Sequence, residues 1–189
     1  MSRSRTLRLI LAALFTAIIV VLTLIPIPFS FLGVPMTLQT FVIAFCGFLM
    51  GWKLGLASVS LYLFLGIVGL PVFAGFQGGF QRLIGPTGGF LYGFLILVVL
   101  CGITPRFRTR AIRWIFAILL GSAGLLLCYL CGAVQLATVS KITFQAAFIG
   151  AALPFLPKDL LSIVVAFSIA YPLRHRIPFL YRRAKHSKH

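Results

Sequence analysis

Asp159 is the single acidic side chain in a chain of 189 residues that carries 17 lysines and arginines. It occurs in the segment PKDL at 157–160, where a long apolar run begins. A proline and an acid in a first turn stabilise a helix N-terminus, and a salt bridge to Lys158 or Lys141 would be equally structural. A carboxylate can also accept hydrogen bonds from a neutral ligand that carries donors. We favour this second interpretation because the chain retains no other acid.

Arg82 lies in a glycine-dense stretch, between two glycines at 78–79 and the motif GPTGG at 85–89. So much glycine disfavours a helix interior and suits a loop whose backbone comes close to a ligand or to packed neighbours. A guanidinium there could bind a carboxylate through two parallel hydrogen bonds, although a solvated loop cation would look the same in sequence. Arg82 is therefore a candidate for binding an anionic ligand group.

Residues for catalysis or metal binding are few. His175, His186 and His189 all lie in the last fifteen residues, and neither a catalytic triad nor a carboxylate pair can be assembled. Cys128 and Cys131 have the C-x-x-C spacing of metal and redox sites, but they occur inside an apolar run and are predicted to be buried, unreactive thiols. The chain contains no G-x-x-x-x-G-K-S/T phosphate loop. We therefore expect no enzyme activity, no ATP hydrolysis by that route, no metal and no cofactor.

The rest of the composition is that of a membrane protein. Hydrophobic residues make up 61% of the chain and charged residues only 10%, whereas about 25% of a soluble domain is charged. A net charge of +16 could suit nucleic acid, but the basic residues lie between apolar runs rather than in one patch with aromatic side chains. The sequence predicts an integral membrane protein in contact with lipid and without a nucleic-acid partner.

Six apolar runs approach the roughly 17–25 residues that a membrane helix needs. They predict an all-α fold, a single domain over residues 1–189 that forms a bundle of six transmembrane helices. The apolar segment 144–156 is too short for a span and is typical of a re-entrant or interfacial segment. The predicted spans are approximately residues 9–25, 36–52, 54–70, 88–103, 115–137 and 158–173.

The positive charges predict the orientation of this bundle. Both termini are basic, so both should face the cytoplasm, which requires an even number of spans. Fourteen of the 17 lysines and arginines then lie on the cytoplasmic side, including a basic tail at 174–189, and only Arg82, Lys141 and Lys158 lie outside. We expect a multi-pass plasma-membrane protein.

Ala13 and Ala17 in the first span are small residues four apart. This spacing lets helices approach closely in lipid, so the two alanines are candidates for a partner surface.

Several motifs occur in order between about residues 8 and 173. They are VPMTLQT at 34–40, LYLFLG at 61–66, GLPVFAG at 69–75, GPTGGFLYGF at 85–94 and PFLPKDL at 154–160. In these motifs the chain resembles the BioY family, the substrate-binding (S) components of energy-coupling factor (ECF) biotin transporters. The resemblance implies a six-helix bundle with an external biotin pocket closed by loops. It also implies a coupling membrane protein and two cytoplasmic ATPases as partners, with Ala13 and Ala17 facing the coupling protein.

Biotin has a ureido ring with two N–H donors, an apolar thioether ring and a carboxylate. The resemblance therefore implies that Asp159 accepts from the ureido donors, that Arg82 or Lys158 binds the carboxylate, and that aromatic residues such as Tyr62 and Phe73 cover the apolar ring. The pocket carried over from the family also draws on Gln39, Tyr62 and the region 75–89, which contains Thr87.

The chain departs from the family pattern at two places. Lys158 and Ser162 stand where the family usually has a glycine and a lysine, and GAVQ at 132–135 replaces a pattern similar to Gly-Thr-x-Trp. We expect Lys158 to substitute in space for the missing lysine. The alternatives are an S component for another small carboxylated vitamin such as lipoate, an integral membrane enzyme, or a structural membrane bundle.

Overall fold

The computed structural model describes residues 3–25, 27, 30–31, 34–103 and 109–176. The regular secondary structure of the described chain is helical except for a two-residue antiparallel pair, β1 (Ser30–Phe31) with β2 (Val34–Pro35), and an isolated bridge between Phe73 and Gln77. The predicted all-α class is therefore confirmed. Arg106, Arg108 and residues 177–189 of the predicted basic tail lie outside the described residues.

Six of the helices are long and two are short. Each predicted span overlaps one long helix, and the short segment at 144–156 overlaps a helix of nine residues. The helices are α1 (Arg3–Leu24), α2 (Gln39–Met50), α3 (Trp52–Ile67), α4 (Gln81–Ile84), α5 (Gly88–Gly102), α6 (Arg110–Ser140), α7 (Phe144–Ala152) and α8 (Leu156–Arg176).

Within the described residues, three stretches are long and apolar enough to cross a membrane, judged by length and composition: Thr6–Leu24, Arg110–Ser140 and Leu156–Arg174. The helices α2, α3 and α5 are apolar but shorter, with 12, 16 and 15 residues. The helix α2 is short because the chain before Gln39 forms a loop and because Gly51 follows at a φ of +79°, which side chains other than glycine rarely adopt. This glycine separates α2 from α3 with a single residue.

The helix α5 lies at the centre and packs against α2, α3 and α6. Glycines bring the helix backbones together: a methyl group added to Gly93 would lie 2.6 Å from Cys128 Cα on α6, and one added to Gly47 would lie 2.6 Å from the carbonyl oxygen of Val98. Association in lipid depends on such close packing rather than on the hydrophobic effect. The α5–α6 contact positions one wall of the site described below.

Local signals fix the ends of the elements around that site. Lys141 ends α6 in the left-handed conformation, with its N–H donating to the carbonyl of Ala137. The Thr143 side chain then accepts from the N–H of Ala146 at 3.3 Å and caps the start of α7. Between α3 and α4, the N–H of Gly79 donates to the carbonyl of Gly66 at 2.7 Å, which holds this connection against the end of α3.

Candidate functional site

Asp159 lies in the first turn of α8 and is only 3% exposed. Its Oδ2 accepts a hydrogen bond of 2.6 Å from the hydroxyl of Tyr129 on α6, and its Oδ1 is 2.5 Å from the ammonium nitrogen of Lys158. A carboxylate has about four acceptor positions on its two oxygens. These two partners therefore hold and orient the carboxylate while leaving positions for further donors.

Lys158 connects two separate parts of the chain. Besides its ion pair with Asp159, its Nζ donates to the backbone carbonyl of Thr37 at 2.7 Å, in the loop before α2. The side chain is 23% exposed. Because an ammonium has three donors, one remains beyond these two contacts. The structural salt bridge considered from the sequence is thus present, and it leaves Asp159 inside a polar cluster.

Gln39 begins α2 beside that loop. Its Nε2 donates to the hydroxyl of Tyr62 at 2.7 Å, and its Oε1 accepts from the Thr37 hydroxyl at 3.3 Å. Tyr62 is fully buried, and its ring packs edge-on against Phe73 with 5.5 Å between the ring centres. The position of Tyr62 differs from the expectation that its ring covers a ligand: it lies behind Gln39 and Phe73, because its polar end is used to hold Gln39.

These side chains surround a cavity of about 280 Å³, near the lower end of the roughly 300–1,000 Å³ typical of small-molecule pockets. The cavity brings residues from α2, α5, α6, α7 and α8 together with the α3–α4 connection and α4. Apart from the polar cluster, its wall is largely apolar and aromatic, with Phe73, Phe90, Phe94 and Phe155 among the lining residues. The sequence-predicted site residues that line it are Gln39, Phe73, Arg82, Thr87, Lys158 and Asp159.

Arg82 differs from the other two charged residues of the cavity. It lies half-buried on the four-residue helix α4, and within the described chain its guanidinium has no hydrogen-bond or ion-pair partner. The carbonyls of Leu83 and Gly85 that follow it both accept from the Nε2 of Gln135, at 2.6 and 2.7 Å. The backbone that carries Arg82 is thus fixed to α6 while the charged group remains available.

The residues that sequence reasoning missed come mainly from α6 and α5. Tyr129 binds Asp159 directly, and Cys128, predicted to be inert, is buried in the cavity wall with its thiol donating to the carbonyl of Phe90 at 3.6 Å. Leu125, Cys128 and Tyr129 are spaced i, i+3 and i+4, which places them on one helix face. That spacing was the available signal for a common surface. Nothing in the sequence indicated that this surface faces Asp159.

Ala13 and Ala17 are far from this arrangement. Both are exposed on α1, whereas the residues immediately before them, Ala12 and Thr16, face inwards and are buried. The hydroxyl of Thr16 donates to the carbonyl of Ser58 at 3.0 Å, which fixes the rotation of α1 against α3. The two small residues therefore lie on a surface open to another molecule.

Within the described chain, no group of three or more His, Cys, Asp or Glu residues could hold a metal ion.

Comparison with known proteins identifies clear similarities. Residues 1–179 match the BioY family. The biotin transporter BioY of Thermotoga maritima is 40% identical over 167 residues, 88% of this chain and 95% of that protein. The biotin transporter BioY of Rhizobium etli is 34% identical over 93% of this chain and 97% of that protein. The crystal structure of an S-component for biotin from an ECF-type ABC transporter superposes with a TM-score of 0.80 at 31% identity, covering 93% of this chain and 94% of that one.

Proposed function

This chain belongs to the BioY family, and on that premise we propose that it is the biotin-binding membrane subunit of an ECF transporter. The family predicted from the sequence motifs is confirmed. Because BioY proteins are transporter components, the chain is a multi-pass membrane protein and not an enzyme. The observation that carries the substrate assignment is the cavity itself, in which one buried carboxylate and one unpartnered guanidinium line a mostly apolar chamber.

The chemistry of this chamber matches the three parts of biotin. Asp159 keeps acceptor positions for the ureido N–H donors, since Tyr129 and Lys158 use only part of its capacity. Phe73 and the other aromatic side chains provide an apolar surface for the thioether ring. Arg82 is the group that binds the carboxylate, because the Lys158 ammonium is already paired with Asp159 and hydrogen-bonded to Thr37. Gln39 and Thr87 complete the polar wall.

Lys158 takes the place of the lysine that the family usually has three residues after the acid. Ser162 stands at that position, and its hydroxyl donates to the carbonyl of Lys158 at 2.9 Å, so it is engaged with its own helix. Lys158 nevertheless brings an ammonium to within 2.5 Å of Asp159 Oδ1. The chain thus keeps an ammonium beside the acid with a lysine placed one residue before it.

The family also supports a membrane arrangement for this chain. We assign six crossings to α1, α2, α3, α5, α6 and α8, with both termini in the cytoplasm and the cavity open to the outside. A coupling membrane protein and two cytoplasmic ATPases then supply the energy. The exposed pair Ala13 and Ala17 on α1 faces the coupling protein, since small residues permit close helix contact in lipid.

Titration of the purified chain with biotin tests the substrate assignment. We expect saturable binding in the nanomolar range, and Asp159→Asn should weaken it by about tenfold or more, because a hydrogen bond to a charged group contributes roughly 1.5–3 kcal/mol. Lys141→Gln removes an exposed charge away from the cavity and is the matched control. Unchanged affinity in a folded Asp159→Asn variant removes this residue from the site. Stronger binding of lipoate than of biotin would show that lipoate, not biotin, is the substrate.

A further inference from the structure

A single side chain fastens the segment before α2 to the first turn of α8. Thr37 and Lys158 are 121 residues apart in the sequence, yet the Nζ of Lys158 donates to the backbone carbonyl of Thr37 at 2.7 Å. Thr37 is buried, and a hydrogen bond from an ammonium is stronger than one between neutral groups. The Lys158–Thr37 bond therefore restrains the segment 36–38 against α8.

Thr37 extends this restraint to the start of α2. Its hydroxyl accepts from the N–H of Gln39 at 3.3 Å and donates to the Oε1 of Gln39, also at 3.3 Å. Gln39 in turn donates to Tyr62 on α3 at 2.7 Å. Thr37, Gln39 and Lys158 all line the cavity. Breaking the Lys158–Thr37 bond would therefore loosen one wall of the cavity.

Lys158 lies at the border between the cavity and the outside of the protein. Its side chain is 23% exposed, whereas the side chain of its partner Asp159 is 5% exposed. Leu160, which follows on the same turn, is exposed as well. Because the Lys158 side chain both lines the cavity and reaches the surface, the bond to Thr37 crosses the edge of the cavity.

The position of this lysine makes the bond possible. The helices α2 and α8 run in the same direction, since Thr37 before α2 contacts Lys158, and Phe48 near the end of α2 contacts Arg174 near the end of α8. Position 162, where the family usually has its lysine, lies about 6 Å further along α8. A lysine there would share a helix face with the acid but would start one turn away from Thr37.

We propose that Lys158 is a positioning residue that sets the rates at which biotin enters and leaves the cavity, an inference that rests on the proposed function. An ammonium has three donors, so Lys158 keeps one for a ligand without giving up Asp159 or Thr37. The Lys158–Thr37 bond is then present in the empty and in the loaded cavity. Release of the segment 36–38 precedes both entry and exit, and opening steps of this kind set the rates of many binding sites.

The first test measures hydrogen exchange in the ligand-free full chain and does not depend on biotin. Lys158→Met keeps an unbranched side chain of similar length but removes the ammonium. Amide exchange at 37–40 should accelerate by about tenfold, the effect of losing one hydrogen bond to a charged group. Asp159→Asn is the matched control, because it removes the ion pair and keeps the Lys158–Thr37 bond, so its exchange at 37–40 should equal that of wild type. Unchanged exchange in Lys158→Met, or equal acceleration in both variants, overturns the proposal.

The second test measures the kinetics of biotin binding by stopped flow. Lys158→Ala combined with Ser162→Lys moves the ammonium to the family position, where it stays beside the acid without reaching Thr37. The rate constants of entry and release should both rise by about tenfold, while the affinity changes far less. Faster release with an unchanged entry rate would make Lys158 only a ligand contact and overturns the proposal.

Lys158→Met keeps the kinetic test decisive if the double variant does not fold. This variant also loses a charge beside Asp159 and should bind biotin more weakly, but its entry rate should still rise by about tenfold. An entry rate equal to that of wild type contradicts the proposed role of Lys158. A wild-type chain that binds no biotin but shows the expected exchange pattern overturns the proposed function, and not the restraint of the segment 36–38 by Lys158.

Discussion

At the scale of single residues, the structure differs from the sequence-based expectation at two tyrosines of the site. Tyr62 was predicted to cover the ligand, yet it lies behind the wall and holds Gln39. Tyr129 was not predicted and contacts Asp159 directly. Both occur in apolar helices, where a hydrophobic pattern does not reveal which face turns inwards, because lipid and protein interior accept the same side chains. The charged residues were easier to predict. A charged side chain in an apolar segment is costly in lipid, so it is usually paired, close to water or functional.

The contact between Tyr129 and Asp159 leads to the first prediction for a residue outside the family motifs. Tyr129→Phe keeps the ring but removes the donor to Oδ2, so the carboxylate loses one of the two groups that orient it. We expect biotin affinity to fall by about tenfold, as for the loss of one hydrogen bond to a charged group. Calorimetric titration measures the change. Tyr92→Phe, at an exposed position on α5, is the matched control, and equal affinities of both variants would show that Tyr129 does not orient the acid.

Arg82 gives a prediction that separates charge recognition from structure. Arg82→Gln removes the unpartnered guanidinium, so biotin should bind about tenfold or more weakly because its carboxylate loses a charge-assisted pair. Biotin methyl ester, which lacks the anionic charge, should bind equally to wild type and variant. Competition titrations with both ligands measure this difference. An equal loss for biotin and for its ester would indicate a damaged cavity rather than a lost ion pair.

At the scale of elements, the bundle was more predictable than its connections. The six apolar runs and the short segment at 144–156 each correspond to a helix, because long apolar stretches in lipid must satisfy their backbone groups internally. The association of α4 with α6 was not predictable, since it depends on Gln135, which the sequence showed only as a departure from the family pattern. Its amide reaches two carbonyls on either side of Ile84, and pairings between distant segments leave no local signal.

Gln135 is accordingly predicted to control how firmly the Arg82 segment is held. Gln135→Leu has similar size but leaves the carbonyls of Leu83 and Gly85 without their donor. We expect faster release of biotin, with affinity lowered severalfold, and faster amide exchange at 81–88. Stopped-flow and hydrogen-exchange measurements test both. Because Gln135 acts through Arg82, the combination with Arg82→Gln should cost little more affinity than Arg82→Gln alone; fully additive losses would contradict this positioning role.

At the scale of the whole molecule, the composition was sufficient to predict a membrane protein, and the order of motifs was sufficient to predict its family. Neither indicated which loops converge on the cavity, because convergence depends on contacts between distant segments, such as the hydrogen bond from Lys158 to the carbonyl of Thr37. The hydrogen bond from Thr16 to Ser58 sets the rotation of α1 and turns Ala13 and Ala17 outwards. The chain thus presents a cavity at one end of the bundle and, on α1, an exposed strip around these two alanines that we propose as the surface for the coupling protein.

These two surfaces can be separated experimentally. Ala13→Leu combined with Ala17→Leu places bulk on the exposed strip of α1, so close approach of a coupling protein should be blocked and biotin uptake by cells should be lost. Binding to the purified chain should remain unchanged, because neither residue lines the cavity. Uptake assays and titration of the same variant provide the comparison. A variant that loses binding, or one that still transports at the wild-type rate, would remove the strip from the coupling interface.

The pairing of Lys158 with Asp159 has an electrical consequence. Among the described residues that line the cavity, only Arg82, Lys158 and Asp159 are charged. The charges of Lys158 and Asp159 cancel, so the empty chamber has one excess positive charge from Arg82. A ligand with a single negative charge, such as biotin, makes the loaded chamber electrically neutral. Moving an elementary charge through the membrane field is worth about 2.3 kcal/mol per 100 mV. The loaded chamber, which has no net charge, experiences no such force, whereas the empty chamber does.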